Sequence, residues 1–238
     1  MSVGKDYKVA WEESYERGDN NILYPQAEVI RFLNRYVCKR NNDKTVTKLI
    51  KTLNDRTPIG LDFACGVGTH CITFSDFEVE GWGVDISYNA IQQAKRNASA
   101  RGLSSDRFIE LDAKEQKLPF PNDHFDFVVA ESCLDSMLLD AAKKYINELK
   151  RVCSGVIYAS LIGSDNAMEF EEFEVQTAFE FGTYQTVFDE KKIASLFGSN
   201  VSNFIYFHAV TYTDIESKKI TGKRFYCVID SENLNSEN

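Results

Sequence analysis

From Ile59 to Leu161 the chain repeats one rhythm: a short apolar run, a turn, then an amphipathic stretch. That alternation is the strongest constraint on the fold, because parallel strands need a long crossover and the crossover is normally a right-handed helix. "IGLDFA" reads as a strand and "THCITFSDF", after a glycine turn, as a helix. "EGWGVDIS" is a second strand, followed by the helix "YNAIQQAKRNASARG", with Ile91, Ala94 and Ala98 on one face and Gly102 as its stop. "RFIELDA" and "HFDFVVAE" are the third and fourth strands. "DAAKKYINELKRVC" is a helix with Ala142, Tyr145, Leu149 and Val152 inward, and "SGVIYASL" is the fifth strand. Near the end, "NFIYFHAVTYTD" and "KRFYCVID" are strands joined by a link too short for a crossover, so they pair antiparallel and the sheet is mixed.

The flanks are less regular. From Pro25, "PQAEVIRFLNRYV" puts Val29, Leu33, Tyr36 and Val37 on one helical face, with proline at the helix start. "TVTKLIKTLNDR" reads as a second helix or as an extension into the first strand. "DEKKIASLF" is a helix capped by Asp189. The spacing divides the chain into residues 1–56, an N-terminal lid and helical segment; 57–230, the α/β domain, with a cap insert at about 162–187; and a flexible polar tail at 231–238.

Composition excludes several function classes. A formal net charge of -9 leaves no basic footprint, so nucleic acid is not expected as a partner. The cysteines Cys38, Cys65, Cys71, Cys133, Cys153 and Cys227 show no CxxC pair and sit among apolar neighbours, as reduced core residues of a cytoplasmic protein do. The start, "MSVGKDYKVAWEESYERGDN", has no signal-peptide pattern, and no apolar run reaches the roughly 20 residues that span a bilayer, so no membrane partner is expected. Metal binding is not expected either, for want of carboxylates and histidines at ligand spacing.

The turn "GLDFACGVGTH" decides the ligand. A dinucleotide fingerprint has a third glycine where this chain has Cys71, yet the strand-end acid that recognises a ribose is present as Asp85. That combination suits one nucleoside better than a pyrophosphate.

On these residues the chain resembles the class I S-adenosylmethionine-dependent methyltransferases. "LDFACGVGTH" is similar to their first motif, "GWGVDIS" to their second, and "ELDAKEQKLPFPNDHFDFVVAE" to the segment that holds adenine and enters the fourth strand; the likeness runs from about Ile59 to Leu161. The resemblance implies a Rossmann-like, doubly wound mixed sheet of about seven strands, the last antiparallel, with helices on both faces. It implies S-adenosylmethionine as cofactor and S-adenosylhomocysteine as product.

By the same resemblance, Asp62 and the turn Ala64, Cys65, Gly66 and Gly68 lie against the methionine part, with Asp62 toward its ammonium. Asp85 accepts from the ribose hydroxyls, Ile86 meets adenine, Asp112 accepts from the adenine amino group, and Ala113 meets the ring through its backbone. Glu131 contacts cofactor and substrate. Ala64 stands where many members have glycine, a change that is tolerated if its φ is negative.

Methyl transfer from a sulfonium needs positioning, exclusion of water and, for some acceptors, a base. Candidate catalytic residues are His208, Glu131 and Asp135. Trp11, Tyr15 and Tyr24 in the leader are candidate acceptor contacts; the glutamates of the insert are either a solvated helix face or an acidic wall. "ESCLDS" lacks the Pro-containing motifs of nucleic-acid amino and cytosine methylation, and only Glu131 stands where protein-arginine enzymes carry two glutamates. The expected activity is methylation of an oxygen or nitrogen on a small-molecule or glycan-precursor acceptor by a monomer or homodimer. An aminopropyl-transferring relative, or a non-catalytic methyltransferase-like partner subunit, are the alternatives.

Overall fold

The computed structural model describes residues 7–43, 45–50, 56–112, 117–164, 172–177, 180–214, 216 and 220–231. In chain order they form α1 (Tyr7–Arg17), α2 (Ala27–Phe32) continued by a π-turn (Leu33–Val37), and a hairpin of β1 (Cys38–Arg40) and β2 (Val46–Lys48). Next come β3 (Ile59–Phe63), α3 (Thr69–Phe74), β4 (Glu80–Asp85), α4 (Tyr88–Ala100), β5 (Phe108–Glu110), β6 (Phe125–Ala130), α5 (Leu139–Val152) and β7 (Cys153–Gly163). A second hairpin, β8 (Glu172–Glu174) with β9 (Tyr184–Thr186), precedes α6 (Glu190–Phe197), β10 (Tyr206–Thr213) and β11 (Ile220–Asp230).

Seven strands make the main sheet in the order β10-β11-β7-β6-β3-β4-β5. Strands β3 to β7 run parallel, and β11 is antiparallel to both β7 and β10. The chain winds outward from β3 through β4 to β5, then crosses to β6 and continues the other way. The reversal falls between β3 and β6, where open α/β sheets leave a crevice at the strands' carboxyl ends.

Central strand β6 is buried along its whole length, as a strand covered by helices on both faces must be. Val128 and Ala130 join the cluster that includes Ile146 and Leu149 of α5 and Ile193 and Phe197 of α6. Phe127 and Val129 join the opposite one, with Val29 and Phe32 of α2, Phe74 of α3 and Tyr158. The two faces are thus packed by alternate residues of one strand.

Two local expectations are corrected. The stretch beginning "TVTK" starts as a β-strand: Val46–Lys48 pairs with Cys38–Arg40, and Asn41 closes the turn through Thr45 and Thr47. Its β-branched residues alternate between the faces of a ribbon, which suits a strand better than a helix. Residues 51–55 lie outside the described residues. The insert after β7 contributes a hairpin where a helix face was considered, with Glu172 and Glu174 both exposed on β8; Glu169 and Glu171 lie outside the described residues. Helix α6 begins as expected, the Asp189 carboxylate accepting from the Lys192 N–H at 2.7 Å. Among the described residues no helix is long and apolar enough to cross a membrane, and all six cysteines are buried and free.

Candidate active site

At the carboxyl ends of β3, β4 and β6 lies a cavity of about 190 Å³. Three strand-end turns and the N-terminal segment build its wall. After β3 the backbone turns through Ala64 and Gly66, both at positive φ (55° and 52°), and Gly68 at φ 83° opens α3. Gly66 is needed for a close approach: a Cβ there would stand 2.6 Å from the Tyr15 hydroxyl oxygen. Ala64 departs from the negative φ expected of it. The chain holds an L-residue in the left-handed region here, a strain that concentrates at functional turns.

Asp85 ends β4 and is almost fully buried. Its Oδ2 accepts from the Gly66 N–H and its Oδ1 from the Ser87 N–H, both at 2.9 Å. One carboxylate therefore fixes the glycine turn to the next strand. Burial pushes its pKa up to about 6, against the pull of those two N–H donors. Ile86 and Leu111 line the same side of the cavity.

The leader closes the opposite side. Trp11 and Tyr15 of α1 line the cavity, their ring centroids 6.4 Å apart. Sequence reasoning missed what anchors them. The Glu12 carboxylate takes the Ser87 hydroxyl (2.9 Å) and the backbone N–H groups of Tyr88 (2.5 Å) and Asn89 (3.1 Å), covering the N-terminus of α4 from another helix. Lys8 pairs with Glu110 at the end of β5. Farther along, the Ile22 carbonyl accepts from the Thr69 hydroxyl, and the Gln26 N–H donates to His70 Nε2 at 3.2 Å.

The remaining wall follows β6. Glu131, Ser132, Cys133, Ser136 and Met137 line the cavity, with Ser132 at φ 51°. Glu131 Oε2 accepts from the Tyr158 hydroxyl at 2.6 Å and Oε1 from the Ser132 hydroxyl at 2.9 Å. Ser132 in turn accepts from Arg224 of β11 at 2.8 Å. Tyr158 and Arg224 belong to strands far away in sequence, and no local pattern announces them.

Of the residues expected at the site, Trp11, Tyr15, Ala64, Cys65, Gly66, Asp85, Ile86 and Glu131 line the cavity together. Others stand elsewhere. Asp62 is buried behind the turn, accepting from the Cys71 N–H at 3.2 Å and lying 3.7 Å from His70 Nδ1. His70 itself lines the cavity; burial disfavours its charge, but the Asp62 carboxylate more than offsets this and raises its pKa. Gly68 packs α3 against Phe108 and Ala94, where a Cβ would come within 2.8 and 3.0 Å. Asp112 is exposed and outside the cavity lining, and Ala113 lies outside the described residues.

Three candidates for acceptor chemistry do not reach the cavity. His208 is exposed on β10, the sheet's edge strand, opposite Tyr226. Tyr24 is 83% exposed and stands apart from the lining. Asp135 is fully buried, with Oδ2 accepting from the Ile162 N–H at 2.7 Å and lying 3.5 Å from Arg224. It fastens the segment after β6 to β7, and its main-chain carbonyl accepts from the Thr186 N–H of β9. Among the described residues no group of three or more His, Cys, Asp or Glu is arranged to hold a metal ion.

Comparison with known proteins agrees with this architecture. Residues 61–155 match the family model described as a methyltransferase domain. An uncharacterized protein of Haemophilus influenzae is 34% identical over 112 residues, a match spanning 44% of each chain. Among solved structures, a SAM-dependent methyltransferase from Methanosarcina mazei is similar at a TM-score of 0.58 and 21% identity, covering 73% of this chain and 92% of that one. The 1,6-didemethyltoxoflavin-N1-methyltransferase of Burkholderia thailandensis, solved with its acceptor and S-adenosylhomocysteine, reaches 0.62 at 14% identity over 97% and 91% of the two chains. The magnesium protoporphyrin IX methyltransferase of Synechocystis, solved with bound SAM, gives 0.54 at 16% identity over 96% and 100%. The structural likenesses carry the fold, and residues 61–155, less than half of the chain, match the methyltransferase domain family.

Proposed function

We propose that the protein transfers the methyl group of S-adenosylmethionine to an oxygen or nitrogen of a small-molecule acceptor. The observation that carries the reading is Asp85 at the cavity wall. Two N–H groups occupy one lone pair on each of its oxygens, leaving the others for the hydroxyls of a ribose. The surroundings fit the rest of a nucleoside: Ile86 and Leu111 offer apolar surface for a base, and the Ala64–Val67 backbone lies alongside.

When bound, S-adenosylmethionine would supply an electrophilic methyl carbon, its nucleoside held by Asp85, Ile86 and Leu111. The chain's own work is positioning and exclusion of water. Trp11 and Tyr15 cover the cavity, Glu12 fixes the lid, and the β8–β9 hairpin closes the acceptor side. That hairpin is tied to the segment after β6, with Thr186 Oγ donating to the Met137 carbonyl at 2.7 Å and Glu172 accepting from the Leu139 N–H. Glu131 is the carboxylate best placed to receive a proton from the acceptor.

Calorimetric titration with S-adenosylhomocysteine tests this reading. Micromolar binding that Asp85→Ala weakens by roughly a hundredfold supports it. Absence of binding to the folded wild-type protein sinks it and favours a non-catalytic role for the domain.

A further inference from the structure

The cavity carries more carboxylates than a nucleoside needs, and the one histidine among its described lining residues, His70, is paired with Asp62. Glu131 and Glu180 line it together with Asp85, and no Lys or Arg is among its described lining residues. Glu131 is held rather than free. Tyr158 and Ser132 each donate to one of its oxygens, leaving the remaining lone pairs available to a guest.

The support under it is strained and specific. Ser132 sits at φ 51°, its N–H donates to Ser160 Oγ at 2.9 Å, and its hydroxyl accepts from Arg224. Arg224 is the cation nearest in this network, and it is directed at Ser132, Ser160 and Asp135. Glu180 enters from the turn between β8 and β9, where burial and the nearby Asp19 push its pKa up. Carboxylates drawn partly out of water beside a cavity favour a positively charged occupant.

We propose that the acceptor is an amine, recognised in its ammonium form by Glu131, with Glu180 as a second anionic wall. The proposal rests on the methyltransferase reading and names its substrate class. The ammonium N–H groups donate to Glu131; one proton passes from nitrogen to the carboxylate and on to water. The lone pair so released is the one that takes the methyl group. Trp11 and Tyr15, on the leader's side of the same cavity, add aromatic surface that attracts a cationic head. An acceptor carboxylate would meet repulsion from both glutamates, and a neutral hydroxyl would gain a hydrogen bond but no ion-pair attraction.

Two calorimetric arms separate this proposal from the reading beneath it. Titration with S-adenosylhomocysteine alone reports on the methyltransferase reading. With that ligand saturating, the protein is then titrated with 2-phenylethylamine, 2-phenylethanol and phenylacetate, three probes of one shape and different charge. The amine is expected to bind roughly tenfold more tightly than either other probe. Glu131→Gln should remove that preference and Tyr158→Phe should reduce it, in proteins whose melting shows them folded. Equal binding of the three probes, binding of none, a preference for phenylacetate, or a preference that survives in Glu131→Gln overturns the amine assignment. Failure of the first arm overturns the methyltransferase reading itself.

Discussion

Two buried aspartates at opposite ends of the same sheet are treated in opposite ways. Asp126, near the start of β6, receives a two-pronged contact from Arg56 at 2.7 and 2.5 Å and the Ile59 N–H at 2.7 Å. Asp85, at the end of β4, receives two N–H groups and, among the described residues, no cation, and its pKa rises to about 6. The amino end closes its charges internally. At the carboxyl end Asp85 is left incomplete beside a cavity, which is the electrostatic condition for holding a ligand.

The sharpest way to break the comparison is to remove each carboxylate in turn. Asp126→Ala strands the Ile59 N–H and the Arg56 guanidinium, and should destabilise the fold by about 3 kcal/mol, measured by urea denaturation. Because Arg56 is partly exposed, the loss stays at the lower end for such pairs. The folded fraction should still bind S-adenosylhomocysteine. Asp85→Ala should act mainly on the ligand: a loss of about 2.7 kcal/mol in affinity, from two decades at 1.36 kcal/mol each, with a smaller fall in melting temperature than Asp126→Ala from the stranded Gly66 and Ser87 N–H groups.

A smaller effect comes from pH. The Asp85 pKa is raised in the folded state, so between about pH 4 and 6 the native protein holds a proton that the unfolded chain has released. Stability from this group is therefore lost as pH rises through that window. Ligand binding runs the other way, since hydroxyl donors prefer the ionised carboxylate. Affinity for S-adenosylhomocysteine should be flat above pH 7 and fall roughly tenfold toward pH 5, and Asp85→Asn should flatten the profile. The smallest effect is Ala64→Gly. Relief of the positive φ slightly outweighs glycine's added freedom in the unfolded chain, for a gain of about 0.5 kcal/mol in thermal melts.

Much of the fold was legible because its signals are local. "EGWGVDIS" and "YNAIQQAKRNASARG" carry their own periodicity, and the strands and helices inferred from them are those observed. The late hairpin followed from chain length alone. By contrast, "TVTKLIKTLNDR" has apolar spacing compatible with either element, and pairing with Cys38–Arg40 decides it. The site divides in the same way. Asp85 and Gly66 announce themselves by position after a strand, whereas Glu12, Tyr158 and Arg224 act through contacts 27 to 92 residues away. His208 shows the converse error: an aromatic strand with a histidine resembles a site lining, but β10 lies at the sheet edge.

The buried cysteines give the protein two separate clocks. Burial raises the pKa of all six thiols, so an alkylating reagent finds little thiolate on the native surface. Cys65 and Cys133 line the cavity, so their labelling reports access to it and should slow when the cavity is filled. The other four react as the surrounding core opens, and their modification counts excursions of the fold itself.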